Sequence, residues 1–226
     1  MKRIVFYFVA LISFVACNKP TPPADGPVKD TTYSLDFSYL GTGKADTLDV
    51  DVGDCDGVEL SEIGELWLSV RLKNGKVLLD VYGNDGLDGR AATFSLFFRN
   101  GVEYTFYIEQ SGYPDVEVLS SGIPEKTDDG RYKVTIKSID LMGGASDVRL
   151  MVVTGESGKY YEDDYWKDYL LSDSDGIYTY GDYLDAKNSG EDFVIESILP
   201  GTFRYVAYIA IDKFGNPGDF YKIVWA

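Results

Sequence analysis

The sequence predicts an all-β protein built as two tandem β-sandwiches, and three observations carry that expectation. Short runs alternate apolar and polar residues with the period of two that a half-buried strand imposes. The 18 Tyr and 12 Phe, with many Val and Thr, suit a pleated surface better than a helix, and 24 Gly punctuate the runs where turns are needed. Behind the N-terminal leader remain roughly 210 residues, which suffice for two ordinary domains.

The leader is Met1-Lys2-Arg3, an apolar run from Ile4 to Val15 that is short for a membrane span, Ala16, Cys17 and the proline-spaced stretch Asn18-Lys19-Pro20-Thr21-Pro22-Pro23. Two cations, a short hydrophobic core and a small residue before a polar stretch make a secretory signal. It resembles the bacterial lipoprotein signal, although Phe14 stands where that family usually has leucine. The resemblance implies lipidation of Cys17 as the new N-terminus, so residues 1–17 are signal and lipobox. The protein would then be held at the outer membrane through lipid. Surface-export signals of that family place acids directly after the cysteine. Here Asp25 is the nearest, so periplasmic and cell-surface faces both stay open. Residues 18–32, almost without large apolar side chains, make a flexible tether.

Composition excludes several function classes. A formal net charge of -16 opposes binding to phosphate backbones, so nucleic acid is not a partner. The sequence has no His, which removes His-based acid–base catalysis, Ser-His-Asp and Cys-His triads and His-ligated zinc. With Cys17 lipidated, Cys55 has no disulfide partner, and stability rests on packing. Its acidic neighbours disfavour a thiolate, which makes it unreactive.

Ordered patterning begins at Tyr33, where Tyr33, Leu35, Phe37 and Tyr39 alternate with polar residues, followed past Gly41-Thr42-Gly43 by Leu48, Val50 and Val52. Leu66 to Val70 and Val77 to Val81 flank Asn74-Gly75, a hairpin signal. Arg90 to Phe98 and Val102 to Ile108 flank Asn100-Gly101, for which the same primed turn is expected. The Trp67-Leu68-Ser69-Val70 strand, Asn84, Arg90-Ala91-Ala92-Thr93 and the closing Gln110-Ser111-Gly112 resemble the BACON domain, a small β-sandwich of Bacteroidetes surface proteins. The likeness spans about residues 33–113 and implies a carbohydrate-binding or spacer role. The acidic stretch Gly53-Asp54-Cys55-Asp56-Gly57 is an inserted loop on this reading.

Tyr113-Pro114 begins a short joint, for which limited hinge motion is expected. Residues 114–226 form the second sandwich. Its strands include Val116 to Leu119, a run with Tyr132, Val134, Ile136 and Ile139, and Val148 to Val153. The end of the chain, Ile198-Leu199-Pro200-Gly201-Thr202 followed by Phe203 to Asp212 and Phe220 to Trp225, resembles a fibronectin type III domain. Arg204 takes the usual position of that family's corner tyrosine. Alternation of Phe203, Tyr205, Ala207, Ile209 and Ile211 gives one buried face. Trp67 and Trp225 are expected in core or edge packing.

Residues 156–192 form an insert with 11 Asp or Glu, 3 Lys and 7 Tyr. Tyr161, Tyr165 and Tyr169, and Trp166 with Leu170, recur at helical spacing and predict a short helix with an aromatic side. Inserts in sandwich loops are where function is grafted. Tyr160, Tyr161, Tyr165, Trp166, Tyr169, Tyr178, Tyr180 and Tyr183 could stack on sugar rings beside hydroxyl-accepting Asp residues, or half of them could cap the sandwich. Asp173-Ser174-Asp175-Gly176 and Asp49 to Asp56 offer clustered oxygens. Leu171 stands at the first ligand position of the former, so both are solvated turns and no metal or cofactor is expected. Paired carboxylates could hydrolyse glycosides, but no buried pair is identifiable, and the protein is expected not to be an enzyme. The function expected is binding or presenting extracellular glycan, in the setting of a polysaccharide uptake system. A protein-interaction or adhesion module with an envelope-protein partner is the alternative.

Overall fold

The computed structural model describes residues 31–42, 46–48, 52, 55–60, 64–155, 161–172 and 174–225. Cys17, the tether as far as residue 30, Tyr160, Asp173 and most of the Asp49–Asp54 stretch lie outside the described residues, while Thr31 and Thr32, expected in the tether, already belong to the first strand. The chain is all-β in its framework, with four sheets that pair into two tandem sandwiches.

In the first sandwich, β1 (Thr31–Phe37), β7 (Glu103–Gln110), β6 (Arg90–Phe98) and β3 (Cys55–Leu60) form one sheet in that order; β2 (Asp46–Leu48), β5 (Lys76–Val81) and β4 (Leu68–Lys73) form the other. The inward residues of β5, β6 and β7, among them Leu79, Phe94, Leu96, Phe106 and Ile108, are fully buried between the sheets. Phe94 and Phe106 stack at 4.5 Å between ring centres. β1 runs parallel to β7, while β2 pairs with β5. The Gly41 turn therefore carries the chain from one sheet to the other and does not close a hairpin.

Asn74 and Gly75 both take positive φ, 52° and 71°, as a primed two-residue turn requires, and join β4 to β5. The second expected turn differs. Only Gly101 has positive φ, while Phe98 N–H bonds to Val102 C=O and the Asn100 side chain accepts from Val102 N–H, which makes a longer loop. The supposed acidic loop is also partly a strand. Cys55 to Leu60 pair with Phe98 to Phe94, and Asp56 bonds Arg99. Trp67 is buried, preceded by a short 3₁₀ turn at Gly64–Leu66.

In the second sandwich, β12 (Phe193–Glu196), β9 (Tyr132–Gly143) and β8 (Pro114–Lys126) oppose β11 (Tyr178–Thr179), β10 (Ala145–Gly155), β13 (Thr202–Asp212) and β14 (Pro217–Ile223). Several register shifts break the period of two, and two of them decide which residues face the core. Lys137 is extra between the Leu119–Ser138 and Ser120–Ile136 pairs, so Ile136 and Ile139 both point inward. Arg204 is extra between Thr154–Phe203 and Val153–Tyr205, so Phe203 joins the inner core and Tyr205 the opposite face. The single buried face expected of β13 is thus two. Val206 and Ala210 face the inner core; Ala207 and Ile209 face outward, and all four are fully buried. A strand buried on both faces needs a cover outside the sheet, and the insert supplies it.

Candidate functional site

The described residues of the insert form two helices and the short strand β11. α1 (Asp163–Leu170) lies on the outer face of the β10–β13–β14 sheet, and its one fully buried side chain, Leu170, packs with Met151, Val153, Ala207 and Ile209. An isolated helix of eight residues is unstable in water, so this docking is what holds it. Lys222 adds an ion pair to Asp163 and lies 5.0 Å from the Tyr205 ring centre. Leu171 N–H bonds back to Lys167 C=O, and the Tyr169 hydroxyl donates to Asp175 C=O at 3.1 Å, tying the following turn to the helix.

The exposed side of α1 carries a continuous aromatic cluster. Tyr161 and Tyr165 stack at 4.6 Å; Trp166 meets them edge-on at 5.6 and 5.0 Å; Tyr169 completes the group at 6.1 Å from Trp166. Tyr161 and Tyr165 are 44% and 47% exposed, whereas Trp166 and Tyr169 are half-buried against the sheet. Glu162, Asp164 and Asp168, the chain neighbours of these rings, are exposed.

α2 (Tyr180–Ser189) is absent from the sequence reading, yet its signals are local: a Thr179/Asp182 capping box and a left-handed Gly190 at its end (φ 73°). It closes the flank of the inner core. Tyr183 is buried there, edge-on to Phe193 at 5.6 Å; Tyr180 packs beside it and donates its N–H to Asp147; the Tyr178 hydroxyl accepts from Glu196 N–H. The structure therefore divides the predicted aromatic residues between opposite faces of one sheet. Tyr161, Tyr165, Trp166 and Tyr169 come together on the surface, and Tyr178, Tyr180 and Tyr183 seal the sandwich.

The residues that carry the first-sandwich motif do architectural work. Arg90 donates to Gln110 Oε1 at 2.7 Å and to Tyr82 C=O at 2.7 Å, with its guanidinium 4.6 Å from the Trp67 ring centre. Gln110, 2% exposed, donates to Ser38, Tyr39 and Tyr82 carbonyls; Asn84 donates to Asp88 and Ser111 carbonyls. These side chains hold together loops that have no ladder partners of their own. Burial moves the Arg90 pKa down, and nearby Asp85 opposes that shift.

Cys55 is a free thiol whose Sγ donates to Gly57 C=O. Among the described residues no three His, Cys, Asp or Glu group as a metal site. Two surface depressions are not lined by α1; one is lined by Ser121, Ile123, Glu125, Lys133, Thr135 and Val194, the other by Glu59, Thr93, Phe97 and Glu103. No described helix is long and apolar enough to cross a membrane.

No protein-family model matches the chain, and no curated protein matches it. Solved structures do. Domains A168–A170 of titin match at 11% identity and TM-score 0.41, covering 86% of this chain, which spans 61% of the titin chain. Drosophila OTK extracellular domains 3–5 match at 11% and 0.34, over 86% of this chain and 59% of that one. DIP-gamma IG1+IG2 matches at 10% and 0.35, over 87% and 94%. Scores this low carry no functional argument, which rests on the site itself.

Proposed function

We propose that the chain is a non-catalytic envelope lipoprotein, tethered at the outer membrane through Cys17, whose second sandwich offers the α1 aromatic surface to a protein partner. The first sandwich, of the BACON kind, serves as its stalk; the second is of the fibronectin type III kind, with the boundary in the Ser111–Gly112–Tyr113 link. The carrying observation is the α1 cluster. Four rings pack on one another, the outer two stay open, and a buried leucine anchors the whole. Rings that spend their faces on each other form a contiguous patch with exposed acidic chain neighbours, the composition of a protein contact.

Glycan is the second reading, for a Bacteroidetes-type envelope. It is favoured by the exposure of Tyr161 and Tyr165, whose chain neighbours carry exposed carboxylates that accept hydroxyl hydrogen bonds. The test compares the chain with its Tyr161→Ser/Tyr165→Ser variant in envelope-protein capture and on a glycan and mucin array. One envelope protein retained by the chain and lost by the variant supports the first reading. Variant-sensitive retention on a glycan supports the second. Identical behaviour of chain and variant removes α1 from both.

A further inference from the structure

The joint between the sandwiches is three residues, Ser111–Gly112–Tyr113, lying between the end of β7 and the start of β8. One side of it is set into the first sandwich. Ser111 N–H bonds to Phe37 C=O and Tyr113 N–H to Gly86 C=O at 2.7 Å, and a Cβ on Gly112 would sit 1.8 Å from Leu87 O. The other side is set into the second. Gly144 N–H bonds to Tyr113 C=O, and a Cβ on Gly144 would lie 2.2 Å from Gly112 O. The nearest approach at both glycines is to backbone, and a Cβ on Gly144 would also lie 3.0 Å from the Ser111 Cβ.

Direct contacts then bridge the two bodies over the joint. The Tyr39 hydroxyl donates to Pro217 C=O at 2.8 Å, its ring meets Tyr113 edge-on at 5.0 Å, and Lys213 pairs with Asp36 at 2.7 Å. Asp212, 2% exposed, accepts from Phe214 N–H, Asn216 N–H and the Asn216 side chain, which stiffens the turn that carries Lys213 and Pro217.

We infer that the two sandwiches move as one rigid body, a strut with no working hinge. The topology says what the strut separates. β1 begins opposite Tyr104, at the end of the first sandwich remote from the joint, and the Asp128–Gly130 and Ile198–Gly201 turns close the remote end of the second. The start of β1 and the far tip of the second sandwich therefore stand at opposite ends at a fixed separation. This replaces the limited hinge expected from the short joint, because linker length bounds the reach of a motion and the packing around the linker decides whether it occurs.

The test measures distances by double electron–electron resonance between nitroxides at Lys73→Cys and Lys187→Cys, exposed positions on different sandwiches, with Cys17 and Cys55 replaced by Ser. The expected result is one narrow distribution, broadened by Gly144→Ala while the far-UV circular dichroism stays unchanged. A broad or multimodal distribution without the junction substitution would overturn the inference, as would a narrow one that persists in folded Gly144→Ala. Should that variant not fold, Tyr39→Phe/Lys213→Ala takes its place, with broadening expected and an unchanged narrow distribution overturning it.

Discussion

Leu170→Ala tests whether α1 is a separately held cover. Leu170 is fully buried and packs with Met151, Val153, Ala207 and Ile209, whereas the other ties of α1 are the half-buried Trp166 and Tyr169, an exposed ion pair and peripheral hydrogen bonds. Transfer of a leucine side chain contributes about 1.5–3 kcal/mol, and leucine-to-alanine changes in cores cost about 2–5 kcal/mol with the cavity included. A site under one short helix collapses easily, so the lower part of that range applies, about 2–3 kcal/mol. The exposed pair adds about 0–1 kcal/mol and does not compensate. At about 1.4 kcal/mol per decade, docking of α1 weakens about 30- to 140-fold. Native-state hydrogen exchange reads this directly. The amides of Lys167 to Leu171 should speed up by that factor, while inner-core amides of β10 and β13 change far less. Equal acceleration of α1 and both strands would refute the reasoning, because cover and sandwich would then open as one unit.

Three further outcomes are expected. Thr179→Ala removes the capping oxygen that Asp182 N–H uses and should lower stability to denaturant by about 1 kcal/mol; an unchanged midpoint would show that packing of Tyr183 alone holds α2. Gln110→Leu strands the Ser38, Tyr39 and Tyr82 carbonyls and the Arg90 guanidinium, at a cost of about 1–3 kcal/mol; a melting temperature within error of the parent would contradict the network's role. Desolvation and the hydrogen bond to Asp115 push the Tyr221 hydroxyl from 10.0 up to about 12, and the neighbouring Tyr39 and Tyr113 shift the same way. The folded state therefore holds a proton that the unfolded chain releases. This contribution is complete below pH 10 and is lost as pH rises from there through about 12. Urea midpoints between pH 8 and 12 should fall less steeply for Tyr221→Phe than for the parent chain, and parallel profiles would contradict the assignment.

Much of the fold was legible because strand formation leaves a local trace. The alternation around Tyr33 to Phe37 and Val77 to Val81, the Asn74–Gly75 turn and the aromatic spacing of α1 are all written within a few residues. Other features were not, even where a local signal existed. α2 hid behind a tyrosine-rich composition although Thr179, Asp182 and Gly190 mark both its ends. The edge strand at Cys55 to Leu60 hid because its Asp and Gly residues look like a loop, and its partner β6 lies some forty residues on.

What the sequence by itself determined is the all-β class, the lack of histidine chemistry, the acidic surface and the existence of an aromatic insert, since these depend on residue types and short-range periodicity. Only the tertiary structure decided which aromatics meet. Bulges at Lys137 and Arg204 reset which face each later residue takes, and the sheet of β10 and β13 then separates the α1 rings from Tyr178, Tyr180 and Tyr183. The same holds for the joint. Gly112 and Gly144 look like any flexible glycines until the Leu87 carbonyl closes on the first and the Gly112 carbonyl on the second, because steric contact between residues distant in sequence exists only once the chain has folded.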